Sequence, residues 1–382
     1  MKVLHVITGL DVGGAEIQLA MLVKHSRNDC DVVTLYNPGP VADQIRASGV
    51  SVRDIGMRSN RSLTALPRLR SLIAAGGYDV VHTHLYRTQI YARPAARLAR
   101  VPVVVTTEHS IGDTHIERRK MSPSVRALYL ASEFFSDGTI AVSDIVRERL
   151  VNWGVPARKI SVVPNGLDTD ALVFDPVARQ RVREQFGIAP SVYVIGALGR
   201  LDPNKRIDLA IEAAAPVLGD ACKFLVIGRG EDLARIEAAV DRLGVREHLI
   251  FGGFQQDTAG MMSAFDLYLA TSRQETFGLS VLEAIASGLP VLYTVCPALD
   301  GIPTSQARQV AGTAEALGAE IRKAVEAGPQ PRVVDHAVFD RYGMAAVARQ
   351  VDDFYDRILA GRRAGHRPGR RAGHRPGRGR RA

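Results

Sequence analysis

The chain has little cysteine and no long apolar run, and these scarcities remove whole classes of protein. Its three cysteines, Cys30, Cys222 and Cys296, stand far apart, in or beside apolar stretches, with no CxxC pair and no His-Cys ligand spacing. That excludes a disulfide framework and a cysteine metal site, and leaves three small core residues. No stretch approaches the roughly 20 apolar residues that cross a bilayer. The opening Met1-Lys2-Val3-Leu4-His5-Val6-Ile7-Thr8-Gly9 lacks the long apolar centre and cleavage pattern of a signal peptide, so a cytoplasmic location is expected. Acidic residues are missing from 361–382, where nine arginines lie. The net charge of +9 therefore belongs to the tail, because 40 basic and 40 acidic residues remain in 1–360. A neutral body gives no footprint for nucleic acid, and none is expected as a partner of the folded part. The tail reads RRAGHRPG at 362–369 and again at 370–377, a composition that builds no core, so 361–382 is expected to be disordered.

At 382 residues there is material for two domains and a cleft between them. Short β-branched runs alternate with helical patterns at Val3 to Ile7, Asp31 to Leu35, Val50 to Ile55, Asp79 to His82, Val101 to Thr106 and Gly138 to Val142. After a stretch of low periodicity, 164–190, the pattern resumes at Val192 to Leu198, Lys223 to Ile227, Leu249 to Phe251, Asp266 to Ala270 and Leu289 to Tyr293. Such alternation predicts an α/β protein with two doubly wound, mostly parallel sheets. Ligands of such sheets lie beyond the carboxyl ends of the strands, so the residues that follow each run carry the functional reading. Phe339 to Leu359 has apolar residues at helical spacing and predicts the last ordered helix.

Three of these strand ends carry chemistry. After Leu198 come Gly199, Arg200 and Lys205, two cations suited to a diphosphate whose charge grows as a bond to it breaks. After Ala270 comes Glu275-Thr-Phe277-Gly278-Leu279-Ser280-Val-Leu-Glu283, in which a helix opening at Gly278 aims its N–H groups and positive dipole end at phosphate. Glu283 lies roughly 7 Å further along that helix, an offset suited to ribose hydroxyls, while Glu275 precedes it and reads either as a charge at the helix N-terminus or as a group free to face a sugar attached to the diphosphate. After Ile7 come Gly9, Gly13 and Gly14, whose spacing is not GxGxxG, so hydride chemistry is disfavoured. Asp168-Thr169-Asp170 spells DxD, but its setting after VPNGL points to an interdomain loop and no metal is expected there. His84 also follows a strand, and the pair His82 and His84 reads either as one buried residue and one lining a loop or as carrying a catalytic role.

Taken together, GGAE at 13–16, VPNGLD at 163–168, GRxxxxK at 199–205 and E-x7-E at 275–283 resemble the retaining glycosyltransferases of family 4, in order and spacing and over 1–360. The resemblance implies the GT-B fold: two Rossmann-like domains facing a cleft, with a C-terminal helix crossing back to the first. It implies an N-terminal acceptor domain, 1–167, a nucleotide-sugar domain, 168–338, and a crossing helix, 339–360. Arg200 and Lys205 would bind the donor diphosphate, Glu275 the sugar hydroxyls and Glu283 the ribose, with the backbone of Phe277, Gly278, Leu279 and Ser280 completing the phosphate site. Gly13, Gly14 and Asn165 would border the donor, and His109 would lie near the transferred sugar. Catalysis is thus expected from His109, Glu275, Arg200 and Lys205 without metal or other cofactor. The implied activity is retaining transfer of a hexose-type sugar from a nucleoside-diphosphate sugar to a glycan, lipid-linked or small-molecule acceptor, in cell-envelope or exopolysaccharide synthesis. Natural-product glycosylation, nucleotide-sugar epimerisation and an inactive nucleotide-sugar-binding protein are the alternatives. Thr294-Val-Cys-Pro departs from the family's second glycine pair and glutamate. Two basic segments, with Arg58, Arg61, Arg68 and Arg70 and with Arg118, Arg119, Lys120 and Arg126, read either as solvated helix faces or as peripheral contacts with the inner face of the plasma membrane.

Overall fold

The computed structural model describes residues 1–58, 62, 64–117, 119–334 and 336–365. The tail from 366 onward, and Arg61 and Arg118 of the basic segments, lie outside the described residues. The first half runs β1 (Lys2–Ile7), α1 (Gly14–His25), β2 (Asp29–Thr34), α2 (Val41–Ala47), β3 (Ser51–Asp54), α3 (Ala65–Gly76), β4 (Val80–His84), α4 (Tyr86–Leu98) and β5 (Val103–Glu108). A short hairpin, β6 (His115–Ile116) and β7 (Arg119–Lys120), leads to α5 (Pro123–Glu133), β8 (Gly138–Ala141), α6 (Asp144–Trp153) and β9 (Ile160–Val162). Seven strands form a parallel sheet in the order β3-β2-β1-β4-β5-β8-β9. Every residue of β4 and β5 is buried, the polar His82, Thr83, His84, Thr106, Thr107 and Glu108 as well as the valines, as befits central strands covered on both faces.

The second half runs α7 (Pro176–Gln185), β10 (Tyr193–Leu198), α8 (Ile207–Ala214), β11 (Cys222–Ile227), α9 (Leu233–Leu243), β12 (Leu249–Gly253), α10 (Thr258–Ala264), β13 (Leu267–Ala270), α11 (Leu279–Ala286), β14 (Val291–Tyr293), β15 (Ala307–Gln309) and α12 (Ala314–Ala327). Its six strands are again parallel, ordered β12-β11-β10-β13-β14-β15. The architecture is α/β, with two Rossmann-like sheets in the GT-B arrangement. One buried cluster crosses between the halves, from Tyr129, Trp153 and Val142 of the first to Phe277 and Val281 of the second.

Two expectations are corrected at the C-terminus. The helix expected over 339–359 is two helices, α13 (His336–Tyr342) and α14 (Met344–Gly365), broken at Gly343. The break is where the chain meets the strap between the domains: Leu167 N donates to Tyr342 O at 2.7 Å and Met344 N to Leu167 O at 2.9 Å. Beyond it, α14 lies against α1 and β5 of the first sheet. Its last turns also take in 361–365, which the tail's composition assigned to disorder, and there Arg362 pairs with Asp137. The stretch 164–190 hides α7, because only Ala178 and Val182 of its apolar residues are buried and its anchors are polar. Arg179 and Arg183 reach Asp266 at 2.6 and 2.7 Å. The three cysteines are free and buried, as expected. No helix among the described residues is long and apolar enough to cross a membrane.

Candidate functional site

Both sheets end on the same cleft, and the second contributes its charged half. Gly199, after β10, has φ +148°, and Gly228, after β11, has φ +143°. A Cβ on Gly228 would fall 1.8 Å from Gly199 O, so two strand ends cross at a distance that only glycine permits. The crossing delivers the chain into loop 199–206, which internal bonds hold rigid. Asp202 Oδ1 accepts from Asn204 N at 3.0 Å and Lys205 N at 3.3 Å. Asn204 Nδ2 donates to Gln274 O at 2.9 Å, and Thr271 Oγ1 donates to Lys205 O at 2.9 Å, which ties this loop to 271–275. The outcome is a contact of 2.7 Å between Lys205 Nζ and Glu275 Oε1. Burial opposes the charge on Lys205, but the Glu275 carboxylate more than offsets it, and the amine's pKa is raised above its ordinary value. Arg200 is exposed, its Nε 3.9 Å from Asp202 Oδ2.

Facing this pair is the start of α11. Gly278 caps it with φ +102°, and a Cβ there would meet Cys296 Sγ at 2.5 Å. The first N–H groups of the helix, from Leu279 and Ser280, have no carbonyl within it to bond and carry its positive dipole end. Phe277 contributes backbone only, because its buried ring stands edge-on to Tyr342 at 5.4 Å between centroids. Glu283 is recessed on α11, and burial pushes its carboxyl up to about 7, with the Lys205 charge pulling the other way. Between about pH 4.5 and 7 the folded chain therefore keeps a proton that the unfolded chain has released, so this group's contribution to stability falls as pH rises through that window. Glu283→Gln is expected to flatten the loss of thermal stability between pH 5 and 8; an unchanged pH profile would contradict the assignment.

The first domain closes the site from the other side. Gly13 precedes α1, and a Cβ there would lie 2.5 Å from Glu16 Oε2, so a side chain would displace the Glu16 carboxylate. A Cβ on Gly14 would sit 3.4 Å from Leu279 Cδ1, so the paired glycines approach the start of α11 across the cleft. Asn165 is buried, and the next residue is clamped: Gln18 Nε2 donates to Gly166 O at 2.7 Å, and Gly166 N donates to Gln18 Oε1 at 2.8 Å. Ser143 Oγ donates to Thr276 O at 2.5 Å and Arg149 Nη1 to Glu275 O at 3.4 Å, so the two peptides that follow Glu275 are held by the opposite domain. Gln18, Ser143 and Arg149 carry no sequence signal of this, being ordinary polar residues of two helix segments.

His109 follows β5 and, with His84 and Asn165, lines a cavity of about 30 Å³. Burial pushes its imidazole down to about 4, which keeps it neutral at physiological pH. His82 and His84 correct the expectation that one of them lines a loop, because both are fully buried on one face of β4. His5 joins them from β1, opposite His82 in register. Among the described residues these three form the one group of His, Cys, Asp or Glu whose ligand atoms lie within 4.8 Å of one another. Asp168 of the DxD sequence instead turns back on its own loop, its Oδ1 accepting from Ala171 N at 3.4 Å.

Comparison with known families settles the class. The profile described as Glycosyltransferase Family 4 matches residues 12–171, and that described as Glycosyl transferases group 1 matches 178–337. This chain is a group 1 glycosyltransferase. It is 28% identical over 272 residues to the Escherichia coli UDP-Gal:alpha-D-GlcNAc-diphosphoundecaprenol alpha-1,3-galactosyltransferase, covering 66% of this chain and 67% of that one. With the 2-deoxystreptamine glucosyltransferase of Streptomyces kanamyceticus it shares 31% over 227 residues, 56% of this chain and 58% of the other. The solved structure of Anabaena HepE in complex with UDP-glucose superposes with a TM-score of 0.81 at 22% identity, over 94% of this glycosyltransferase and all of that chain.

Proposed function

We propose that this glycosyltransferase moves a hexose from a nucleoside-diphosphate sugar to a hydroxyl with retention of anomeric configuration, and without a metal. The observation that carries the reading is the convergence of a mostly buried, charged Lys205 on Glu275, beside the N-terminus of a helix that also bears Glu283. In that arrangement Lys205, Arg200 and the N–H groups of Leu279 and Ser280 hold the diphosphate. Negative charge grows there as the bond to the sugar breaks, and donors already aimed at it lower the barrier without reorganising. Glu275 then accepts hydroxyls of the sugar and Glu283 those of the ribose. The acceptor hydroxyl attacks on the face from which the diphosphate leaves, so no protein nucleophile is required, and closure of the domains on substrate slows, without abolishing, the competing attack by water. A fixed cation and a helix dipole supply the charge that a metal ion would otherwise bring. The relatives named above are a galactosyltransferase of alpha-D-GlcNAc-diphosphoundecaprenol and a glucosyltransferase of 2-deoxystreptamine, and a lipid-linked or glycan acceptor of the cell envelope is the class we assign first.

The test is a panel of nucleotide sugars scored by thermal shift, since a ligand that binds only the folded state raises its melting temperature by mass action. At least one nucleoside-diphosphate hexose is expected to stabilise the chain, and stabilisation by none of the panel would contradict the reading.

A further inference from the structure

Three histidines run in single file from the core of the first sheet to the cleft. His5 on β1, His84 at the end of β4 and His109 just past β5 lie on adjacent strands of the same sheet. His5 Nδ1 is 3.1 Å from His84 Nε2, and His84 Nδ1 is 3.3 Å from His109 Nε2. Neighbouring rings are near parallel, with interplanar angles of 28° at both steps. His82 lies beside the file but outside it, because its two nitrogens are committed to Tyr355 Oη at 2.5 Å and Thr107 Oγ1 at 2.7 Å.

A file of neutral imidazoles has one proton per ring, so its hydrogen bonds must all point the same way. Either each ring carries its proton on Nδ1 and donates outward, or each carries it on Nε2 and donates inward. The inner end decides between them. His5 Nε2 is buried with no hydrogen-bond partner among the described residues. Inward polarity would leave an N–H donor stranded there, whereas outward polarity leaves only a lone pair, and orphaned buried N–H groups are the rarer of the two. Burial also disfavours an extra proton anywhere along the file.

We propose that His5 and His84 are positioning residues which fix the tautomer of His109, so that it presents an Nδ1–H donor at the cleft. His109 in that form gives a hydrogen bond to an oxygen of the bound sugar and cannot serve as a base through the same nitrogen. This role at the sugar rests on the function proposed above; the polarity of the file does not.

The experiment is long-range proton–nitrogen NMR of the full chain labelled with 15N-histidine, beside UDP-glucose turnover followed by UDP release. In the unsubstituted protein His5, His84 and His109 are all expected as Nδ1–H tautomers. His5→Leu removes the inner donor, and His109 is expected to become a mixture of tautomers, with kcat falling about tenfold and KM for UDP-glucose unchanged, the scale of one lost hydrogen bond. His5→Asn puts an amide N–H where Nδ1–H stood and should return both the tautomer and, within about threefold, kcat. A protonated Nε2 on His109 in the unsubstituted protein overturns the proposal, as does a tautomer unmoved in His5→Leu. So does a stoichiometric metal ion in the purified protein with the His5 and His84 signals shifted by it. The tautomer measurement needs no substrate, so it decides the file even if UDP-glucose is not turned over.

Discussion

Lys205→Ala is expected to lower sugar transfer by about 10²- to 10³-fold while leaving the fold intact. That magnitude is the effect of removing one preorganised donor from the place where charge develops. Two features make Lys205 such a donor. Its backbone is held by Asp202 and Thr271, so in the proposed reaction the ammonium needs no search to reach the leaving diphosphate. Its charge is secured by Glu275, which outweighs the burial that would otherwise drive the proton off. The same bonds explain why the variant should fold, since they use the loop's backbone and neighbouring side chains and not the amine. A melting temperature within about 4 °C of the parent is expected, which corresponds to roughly 1 kcal/mol in a domain of this size. Near-normal transfer by Lys205→Ala would remove the diphosphate assignment, whatever the fate of the rest of the site.

The largest effect on stability is expected far from the cleft. Arg93 on α4 is wholly inaccessible, with its Nη2 2.8 Å from Oε2 of Glu133 at the end of α5. Its Nε donates to Thr106 Oγ1 at 2.9 Å and its Nη1 to Ser132 Oγ at 3.0 Å, and the guanidinium lies over the Tyr129 ring at 5.1 Å. Glu133→Gln would strand that charge in the interior, and breaking a buried pair from one side costs about 3–5 kcal/mol. Replacing both partners by apolar residues of similar size, Arg93→Met with Glu133→Leu, should cost much less, because no uncompensated charge remains. Denaturant unfolding of the first domain distinguishes the two variants. A single substitution costing under about 1 kcal/mol would show that solvent reaches the pair.

What the sequence revealed of this protein follows from how its information is stored. Strands buried on both faces carry short stretches rich in Val, Leu and Ile, so β1, β5, β10 and β11 were readable within a residue or two. Lys205, Glu275, Gly278 and Glu283 were readable because each lies just after a strand or within one helix, where spacing along the chain sets spacing in space. The contacts that join distant segments were not. Nothing in HVI at 5–7 says that His5 will stand beside His84, since that depends on which strand becomes the neighbour of β1. The clamp of Gln18 on Gly166 depends likewise on how the two domains meet, as does the grip of Ser143 on Thr276. The break at Gly343 escaped helical periodicity because the apolar pattern continues through it, and only the pairing with Leu167 interrupts the helix. α7 escaped for the opposite reason, being held by arginines to Asp266 with little apolar face to announce it.

Retaining transfer from a nucleoside-diphosphate sugar is the reaction proposed for this chain. It is tested most directly by following, with proton NMR, the first sugar released when the unsubstituted chain hydrolyses the α-linked nucleotide sugar that stabilises it most. The expected products are free nucleoside diphosphate and an α-configured sugar that only later equilibrates to β. Release of the β-anomer first, or conversion of the nucleotide sugar to an epimer with no nucleoside diphosphate set free, would contradict it.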